Sequence, residues 1–542
     1  MKTGPMLVGA AAVLLAAAGV WHAADAATID PAANRPATAQ ADAVPWNGTW
    51  AAAPQSSGAS FGNQTLRQIV HTSISGTVAR LDLSNAFGSG PVTVTDVHIA
   101  RRTSGSAVDG STDKAVTFGG ATSVTIAAGQ KAVSDSIAFP VAALSDVAVS
   151  FYLPQQITNA TQHQLAEQTN YVAAGDVAGN ATLNGPQTNG SYTFLAGLDV
   201  QNSAATGSVV TLGASITDGV ASSSDANRRW PNDLAVRLNQ SGRTVGVLNE
   251  GISGNALLHD GAGQSAVNRF SRDVLGQANV KWVVFADDPI NDVNVGNPPS
   301  GGQLTAALTQ IITAAHQAGV KFLCATLTPF KPDGGWTQAG ENSRDAYDAF
   351  VRGTGSGCDG VVDFDTATHD PANPQQYLPA FDNGDHLHPN TNGLQAMANS
   401  VDLTLFGTTG QTGNVVSFRA HANSDYVTAE NAGTQPLIAN RTAIGAWEQF
   451  DLIDLGNSNI ALRAHANGDY VTAEAAGAQP LIANRTAIGG WETFGLIHNA
   501  DGSVSLKAVN GDFVTAENAG AASLIANRTA VGPWEEFDLI TD

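Results

Sequence analysis

The fold is decided by the stretch Ser208-Val209-Val210-Thr211-Leu212-Gly213-Ala214-Ser215-Ile216-Thr217-Asp218-Gly219. Its first five residues form a short apolar run that is typical of a buried strand. Small and polar residues follow, and a helical pattern begins near Trp230. A serine on the turn after a buried strand lies at the carboxyl edge of a sheet, where open α/β folds bind their ligands. Ser215 is therefore a candidate nucleophile, unless the segment is an ordinary glycine-, serine- and threonine-rich turn.

Strands and helices alternate around this stretch, from residue 201 to residue 407. The further predicted strands are 244–248, 280–286, 320–327 and 360–364, and the predicted helices are 230–238, 303–318, 341–351 and 391–405. Strands that alternate with helices need crossover connections, which make the strands parallel. The pattern therefore predicts a three-layer α/β domain.

The segment before it, residues 46–200, has short alternating runs separated by glycine, serine and asparagine turns. Residues 79–83 and 147–151 place their larger side chains on one face, which predicts a β-sandwich. Residues 91–99 begin in one phase and end in the other, which indicates a β-bulge. Nothing in this segment has the spacing of a catalytic group.

The segment after the α/β domain repeats itself. Following a linker at 408–414, residues 415–542 contain three near-copies of Tyr426-Val427-Thr428-Ala429-Glu430, and each copy has one tryptophan: Trp447, Trp491 and Trp534. Three β-patterned repeats of about 40 residues can close a three-fold barrel, whereas a propeller needs at least four. The tryptophans have two interpretations, as core residues or as aromatic faces that stack on sugar rings.

The N-terminus has the design of a secretory signal peptide. Lys2 precedes an apolar run at 6–20, and Ala24-Asp25-Ala26 is a small-x-small cleavage pattern, so we expect residues 1–27 to be removed after Ala26 or Ala27. Residues 28–45 are rich in alanine, aspartate and proline and are predicted to be a flexible leader. No later segment reaches about 18 uninterrupted apolar residues. We therefore expect a secreted, extracellular protein that does not enter a membrane.

The composition favours a neutral ligand. The 542 residues include 47 acidic and 25 basic residues, which give a formal net charge of −22. Nucleic acids and anionic membranes need a basic face, so the charge argues against both as partners. The two cysteines, Cys324 and Cys358, lack ligand spacing for zinc, and in an oxidising compartment they either form a disulfide or stay free. The spacing does not decide between these two states.

A serine nucleophile needs a base and a carboxylate that orients the base. The segment Gly384-Asp385-His386-Leu387-His388-Pro389-Asn390 precedes the last predicted helix. Asp385 lies three residues before His388, so one turn can bring its carboxylate to Nδ1 and leave Nε2 for Ser215. His386 is the alternative base. His259, His316 and His369 have no such spacing and are interpreted as surface or packing residues.

Two loops after strands are candidate oxyanion donors. Gly251 follows one strand in Asn249-Glu250-Gly251-Ile252-Ser253-Gly254-Asn255 and can offer its backbone N–H. Asn291 follows another strand in Pro289-Ile290-Asn291-Asp292 and can offer its side-chain amide. Loss of one such donor costs roughly 3–4 kcal/mol of transition-state stabilisation. The alternative is that both residues serve only turn geometry.

These segments occur in the order of the four sequence blocks of the SGNH (GDSL-type) hydrolases, and the chain resembles a secreted subgroup of that family from residue 46 to residue 406. The resemblance implies a flavodoxin-like α/β/α fold and ester hydrolysis without a cofactor. It makes Ser215 the nucleophile, His388 the base and Asp385 the orienting acid. The oxyanion donors would be the N–H groups of Ser215 and Gly251 and the Asn291 amide. An α/β-hydrolase elbow is disfavoured, because it needs glycine where Thr217 stands.

The chain departs from the family pattern at two positions. Ala214 replaces the aspartate of the first block, and Pro289 stands where the third block has glycine. Proline lacks an N–H and fixes φ, so the Asn291 loop is expected to be re-aimed, and the loss of the carboxylate is expected to loosen the serine turn. The sequence thus predicts a weakened or specialised hydrolase rather than an inactive one.

The C-terminal repeats resemble the fascin-like β-trefoil modules of secreted carbohydrate-active enzymes. The leading hypothesis is a monomeric serine esterase that removes acyl groups, mainly acetyl, from a polysaccharide held by the trefoil, or that acts on a small ester. The alternatives are a short-chain lipolytic esterase and a glycan-binding protein with a weakened active site.

Overall fold

A computed structural model describes residues 44–406, 414–456, 459–485, 488–499 and 501–541. The predicted signal peptide lies outside these residues, as do nearly all of the leader and of the linker. Every helix within the described ranges is too short or too polar to cross a bilayer.

The N-terminal domain is a β-sandwich, as predicted. Its strands are β1 Trp46–Ala51, β2 Gln55–Ser56, β3 Gln64–His71, β4 Val78–Ser84, β5 Val92–Ser104, β6 Ala107–Val108, β7 Lys114–Val116, β8 Ser123–Ile126, β9 Lys131–Val133, β10 Asp146–Leu153, β11 Thr161–His163, β12 Asn170–Ala174, β13 Gln187–Asn189, β14 Tyr192–Thr193 and β15 Leu195–Gln201. One sheet has the order β1-β15-β4-β9, the larger one contains β13-β12-β3-β10-β5-β6 with β7 and β8 also paired to β5, and β14-β11-β2 form a small third sheet. Leu81 and Leu198 of the first sheet share one core with Val149 and Phe151 of the second.

The change of phase predicted within residues 91–99 is a bulge at Asp96. Strand β5 pairs with β8 through Val92–Thr95 and with β7 through Val97–Ile99. Asp96, between the two pairings, has φ +48°, a left-handed conformation that residues other than glycine adopt mainly at turns and bulges.

The central domain has a five-stranded parallel sheet between two layers of helices. Its strands are β16 Gly207–Gly213, β17 Val245–Gly251, β18 Val280–Phe285, β19 Lys321–Ala325 and β20 Gly360–Val362, followed by the antiparallel pair β21 His369–Asp370 and β22 Asn373–Tyr377. Its helices are α1 Ser215–Asp218, α2 Trp230–Gln240, α3 Ala266–Phe270, α4 Asp288–Val293, α5 Gly301–Gln317, α6 Gln338–Arg352, α7 Phe364–Thr368 and α8 Thr391–Ser400, with a π-helical turn Ser271–Leu275 after α3 and a 3-10 turn Leu403–Phe406 after α8. The strand order β17-β16-β18-β19-β20 is that of a flavodoxin-like fold, which confirms the predicted fold class.

Alternate residues of the sheet pack on opposite helix layers. Val210 and Phe285 lie in one core with residues of α3, α5 and α6. Val209 and Val284 lie in the other core with residues of α2 and α8. Because both faces are covered, the strands are almost continuously apolar, and only their carboxyl ends are available for chemistry.

Helix α8 is shorter than its pattern predicts. It ends at Ser400, because Val401 is extended at φ −69° and ψ 118°. The remaining apolar residues form the 3-10 turn Leu403–Phe406, in which Phe406 is buried. The apolar periodicity that predicted a longer α8 therefore continues through the 3-10 turn.

A disulfide joins Cys324 and Cys358, with 5.8 Å between their Cα atoms. Cys324 lies on β19 and Cys358 precedes β20, and these two strands are neighbours in the sheet. The sequence did not decide whether the two cysteines are bridged or free, and the structure shows that they are bridged.

The C-terminal domain is a closed barrel with trefoil features. Its strands are β23 Asn414–Ala420, β24 Tyr426–Thr428, β25 Ile438–Arg441, β26 Phe450–Gly456, β27 Asn459–Ala464, β28 Tyr470–Ala473, β29 Leu481–Arg485, β30 Phe494–His498, β31 Val504–Lys507, β32 Phe513–Thr515, β33 Ile525–Arg528 and β34 Phe537–Thr541. Six of them close a ring, β23-β26-β27-β30-β31-β34, since β34 pairs with β23. The other six form one hairpin in each repeat.

The β-sandwich packs directly against the elements that hold Ser215. Strand β1 lies so close to β17 that a Cβ on Gly246 would stand 1.9 Å from the Gly48 carbonyl oxygen. The Gly48 N–H donates to Ser208 Oγ at 3.0 Å. His163 Nε2 lies 3.0 Å from Asp218 Oδ1, and both side chains are buried. The last residue of α1 is therefore fixed from the sandwich side.

Candidate active site

Ser215 is the first residue of α1, two residues after β16 ends at Gly213. Gly219, at φ 108°, ends the helix after a single turn. Ser215 is only 6% exposed. Gly213 is required by close approach, because a Cβ there would stand 2.2 Å from Thr217 Oγ1 and 2.3 Å from Asp287 Oδ1. The turn is thus compact and holds the serine at the carboxyl edge of the sheet.

The structure brings Ser215, His388 and Asp385 into one hydrogen-bonded chain. His388 Nε2 is 2.9 Å from Ser215 Oγ, and His388 Nδ1 is 2.7 Å from Asp385 Oδ2. Asp385 Oδ1 accepts the N–H groups of Leu387 at 3.0 Å and of His388 at 2.8 Å. The three-residue spacing seen in the sequence forms this turn, which aims Nε2 at the serine.

The electrostatics of Asp385 suit its position. Its partial burial alone would raise the pKa, but hydrogen bonds from the His388 N–H, the His388 ring and the Leu387 N–H lower the pKa below its ordinary value. Asp385 therefore stays a carboxylate and accepts a proton-bearing Nδ1. Since Nδ1 then holds the proton of the neutral imidazole, Nε2 is left as a base that faces Ser215.

The other histidines of this domain pair with different carboxylates. His386, the alternative base, lies 2.5 Å from Asp382 Oδ2 through its Nδ1. The remaining pairs are His259 with Asp292, His316 with Asp359 and His369 with Asp365. The structure thus places His388, not His386, on Ser215.

Two of the three predicted oxyanion donors keep an N–H hydrogen that the described hydrogen bonds do not use. The Ser215 N–H begins α1, and the first N–H groups of a helix have no intrahelical acceptor. Asn291 lies on α4, and its Nδ2 donates to the Asn255 carbonyl at 2.8 Å, which leaves its second hydrogen. The Gly251 N–H, in contrast, donates to Asn249 Oδ1 at 2.9 Å. The structure therefore does not offer the Gly251 N–H to a substrate, because β17 extends to this residue and packs it under α1.

Gly254 is a further candidate donor, which the sequence prediction did not include. It has φ +78°, and no residue in the described part of the chain accepts its N–H. The preceding Ser253 is anchored through its N–H and Oγ to Asp218 Oδ2, at 2.9 and 2.6 Å. The following Asn255 accepts from Asn291. The second glycine of Gly251-Ile252-Ser253-Gly254 was the available signal, since a glycine at positive φ allows an N–H to turn out of the chain.

Pro289 does not disturb Asn291. It lies in the first turn of α4, where a helix has no use for an N–H and the fixed φ of proline suits the backbone. The predicted re-aiming of a loop therefore has no counterpart, because Asn291 stands on a helix.

Arg269 is completely buried and contacts the backbone segments that carry the site. Its guanidinium donates to the carbonyls of Gly213 and Glu250 at 2.9 and 2.6 Å and to Asn255 Oδ1 at 2.9 Å. It also pairs with Asp288 at 3.2 Å. One side chain thus joins the ends of β16 and β17 to the Gly254 loop. No local pattern predicts this role, because it depends on contacts between distant segments.

One group of side chains in the described ranges has metal-ligand atoms within 4.8 Å of one another, namely His421, Asp501 and Glu536. It lies in the trefoil domain, and His421 is also 2.8 Å from Asp538. The Ser215 site has no part in it.

The three repeat tryptophans lie at the surface. Trp447, Trp491 and Trp534 are 37%, 40% and 36% exposed. Each carbonyl accepts a 2.8 Å hydrogen bond from the N–H of Ala429, Ala473 or Ala516. The interpretation of these residues as core is therefore wrong, because more than a third of each residue is exposed.

A polar cluster accompanies each tryptophan. In the first repeat, Glu430 Oε1 accepts from Arg441 Nη2 at 2.6 Å and from Asn440 Nδ2 at 2.8 Å. The second and third repeats have the same contacts, in Glu474 with Arg485 and Asn484, and in Glu517 with Arg528 and Asn527. The residues after each glutamate are left-handed, as Asn431 and Ala432 are at φ 50° and 52°. The barrel thus presents one surface arrangement three times.

A hydroxyl, an imidazole and a carboxylate in this geometry are the groups that a serine hydrolase needs. Residues 211–396 match the GDSL-like Lipase/Acylhydrolase family. The central domain is therefore a GDSL-like lipase/acylhydrolase domain, as the resemblance implied, and the protein is an ester hydrolase.

Solved structures with similar parts have low identity. A putative lipolytic protein of the G-D-S-L family from Desulfitobacterium hafniense DCB-2 is 18% identical, with 36% of this chain and 96% of that chain covered and a TM-score of 0.29. A GDSL-like lipase from Bacteroides thetaiotaomicron VPI-5482 is 16% identical, with coverage of 37% and 87% and a TM-score of 0.29. A designed three-fold symmetric protein, ThreeFoil, is 22% identical, with coverage of 24% and 99% and a TM-score of 0.22.

Residues 411–514 match a domain of unknown function, DUF7910. The chain has no significant match among curated proteins.

Proposed function

We propose that the protein is a secreted serine esterase that removes acyl groups, mainly acetyl, from a polysaccharide to which its trefoil domain binds. The observation that supports the chemistry is the chain from Ser215 Oγ to His388 and Asp385, at 2.9 and 2.7 Å. The substrate class is supported by a cavity beside the nucleophile turn and by the three surface sites of the trefoil.

The reaction follows from the geometry. His388 Nε2 takes the hydroxyl proton as Ser215 Oγ attacks the ester carbonyl, and the carbonyl oxygen becomes an oxyanion. The N–H groups of Ser215 and Gly254 and the Asn291 amide stabilise that charge. His388 then gives its proton to the departing alcohol, which leaves an acyl group on Ser215. Water, activated by the same imidazole, releases the acid and restores the serine.

The cavity lies at the seam between the β-sandwich and the hydrolase domain. It has a volume of about 320 Å³ and reaches Asp218 and Ser253 next to the nucleophile turn and the Gly254 loop. Gln55, Gln164 and Phe87 line it from the sandwich. Side-chain amides beside an aromatic ring suit a hydroxylated ring better than a long acyl chain, and the volume is in the range of small-molecule sites. This favours a sugar as the alcohol part of the ester.

The trefoil sites have the composition of a site for neutral glycans. An exposed indole offers an apolar face to a sugar ring. Arg441 is neutralised by Glu430, so the cluster presents fixed donors and acceptors without a net positive charge. A polyanion therefore gains little there. Three equivalent sites on one barrel favour a ligand with repeated units, because simultaneous contacts raise the overall affinity beyond that of one site.

The experiment measures acetate release from a panel of acetylated polysaccharides. The variants are Ser215→Ala and the triple replacement of Trp447, Trp491 and Trp534 by alanine. We expect no release by Ser215→Ala, and a rate for the triple variant that is reduced at low polysaccharide concentration but unchanged on p-nitrophenyl acetate. Equal rates for the wild type and Ser215→Ala would refute the proposed mechanism.

The same assays separate the alternatives. A preference for longer acyl chains, with no release from any polysaccharide, would identify a short-chain lipolytic esterase. A wild-type protein that binds glycan but forms no fluorophosphonate adduct on Ser215 would be a glycan-binding protein.

A further inference from the structure

We propose that Asp287 positions the nucleophile turn and supplies, from the neighbouring strand, the carboxylate that is missing at Ala214. This inference rests on the proposed role of Ser215 as the nucleophile. Asp287 follows β18 and serves as the N-terminal cap residue of α4, whereas Ala214 lies between β16 and α1. The carboxylate therefore reaches the serine turn from a different segment of the chain.

Asp287 is in direct contact with the serine turn. Its Oδ2 accepts the Ile216 N–H at 2.8 Å and lies 3.4 Å from the Thr217 N–H. Its Oδ1 accepts the Thr217 hydroxyl. Ile216 is the residue directly after the nucleophile, so the carboxylate holds the first turn of α1 by its free N–H groups. This contact spans 71 positions of sequence.

Within the described residues, the groups that hydrogen-bond to the Asp287 side chain are donors, and the buried Asp288 carboxylate lies near enough to interact with it electrostatically. The Trp230 indole N–H donates to Thr217 Oγ1 at 3.2 Å, so the hydroxyl proton of Thr217 is directed to Asp287. An ionised carboxylate accepts all these bonds, whereas an amide would place its own N–H₂ against one of the donors. Asp287 is 4% exposed, and burial raises its pKa while the hydrogen bonds from Thr217 and Ile216 lower it, with a net rise. The donors thus offset part of the cost of burying the carboxylate.

Ala214 lies beside Asp287, to which its backbone is hydrogen-bonded, and its small side chain adds no carboxylate of its own to the serine turn. Its side chain is completely buried, and the adjacent Gly213 Cα already approaches Asp287 Oδ1 so closely that a Cβ would stand 2.3 Å from it. A second carboxylate at position 214 would bring two like charges into one buried site, which is strongly unfavourable. The small residue and the relocated acid are thus two parts of one arrangement.

The alanine at position 214 is therefore not a sign that the active site has lost its function. Asp287 touches neither the substrate nor the reacting atoms, and acts by fixing the turn on which Ser215 Oγ and the Ser215 N–H stand. A misplacement of about 1 Å at a reacting group can cost about 100-fold in rate. Loss of Asp287 is therefore expected to lower kcat rather than to raise KM.

The test compares Asp287→Leu, the double variant Ala214→Asp with Asp287→Leu, and the control Asp348→Asn, on p-nitrophenyl acetate. Asp348 is another buried carboxylate, bonded to the Leu327 N–H at 2.8 Å and away from the serine turn. We expect Asp287→Leu to lower kcat by about 30- to 100-fold with KM changed less than about 3-fold. The double variant should regain at least about tenfold of that loss, while Asp348→Asn lowers the melting temperature and keeps kcat.

The outcomes are separable. A double variant no faster than Asp287→Leu, or an Asp287→Leu kcat equal to the wild type, would overturn the proposal. So would a loss in Asp348→Asn as large as that in Asp287→Leu, since the effect would then be general destabilisation. The assay needs only hydrolysis that depends on Ser215, so failure on polysaccharides refutes the proposed substrate and leaves this test intact. If Ser215→Ala matches the wild type, the proposed function itself fails, and the positioning role fails with it.

Discussion

Replacement of Asp385 by asparagine is expected to remove the base while leaving the turn in place. Asp385 Oδ1 accepts two backbone N–H groups, at 2.8 and 3.0 Å, and Oδ2 accepts His388 Nδ1–H at 2.7 Å. An asparagine has one oxygen, and the two backbone donors retain it. Its N–H₂ group then faces Nδ1, which must become the acceptor, and the ring proton moves to Nε2.

The size of the effect follows from that change of tautomer. An Nε2–H donates to Ser215 Oγ and cannot take its proton, so the imidazole is no longer a base for the attack. The corresponding change in a serine protease triad costs about 10⁴ in kcat, which corresponds to about 5.5 kcal/mol of barrier. We expect a kcat loss of this order in Asp385→Asn, with little change in melting temperature.

The chain provides a matched control in Asp382. Its Oδ1 accepts the N–H groups of Gly384 and His386, and its Oδ2 lies 2.5 Å from His386 Nδ1. Asp382→Asn therefore makes the same chemical change four residues before the other histidine and should keep most of the activity. The assay is p-nitrophenyl acetate hydrolysis under saturating conditions. A kcat for Asp385→Asn within about tenfold of the wild type would refute the assignment of Asp385 as the group that orients the base.

Three further predictions concern the rest of the molecule. Burial lowers the pKa of His163, but its contacts with Asp218 raise it, and the net pKa lies above the ordinary value of 6.5. The stabilisation of the fold by protonated His163 is therefore fully present below about pH 6.5 and is lost as the pH rises through the raised pKa. Wild type should exceed His163→Gln in melting temperature by more at pH 5.5 than at pH 9, and an equal difference at both pH values would contradict this. Replacement of both Cys324 and Cys358 by serine opens a loop with a sequence separation of 34 and should cost roughly 4 kcal/mol in the free energy of unfolding. Denaturant titration measures this cost, and an unchanged midpoint would show that the bridge contributes nothing. Trp447→Ala should weaken binding to a neutral polysaccharide by less than the triple tryptophan variant does, as measured by affinity electrophoresis, whereas complete loss on the single replacement would contradict three equivalent sites.

The sequence predicts the parts of the site that depend on local spacing. Asp385 and His388 lie in one turn, so a three-residue interval contains nearly all of the geometry that joins them. The order of strands and helices around Ser215 likewise follows from apolar periodicity, which a buried parallel sheet imposes on every strand. Apolar periodicity predicts the three-layer α/β domain and the repeats predict the three-fold barrel, whereas the flavodoxin-like fold follows only from the family resemblance.

The contacts that the sequence does not predict join distant segments. Gly251 and Gly254 look equivalent in a loop, and only the extension of β17 to Gly251 decides which N–H is engaged. A tryptophan stands at the same place in every repeat. Core residues and binding residues both show this pattern, so the sequence does not distinguish between them. Asp287 was visible only as one of two aspartates before Pro289, because nothing in the local sequence indicates that it reaches Ile216.

The contact of His163 with Asp218 bears on how the molecule can be divided. The sandwich and the hydrolase domain share the buried contact between the His163 ring and the Asp218 carboxylate, and the Gly48 carbonyl occupies the space where a side chain at position 246 would be. A fragment that begins at residue 201 would expose this surface and release the end of α1. The first two domains are thus expected to melt as one cooperative unit, and the smallest catalytic fragment of the chain includes the sandwich.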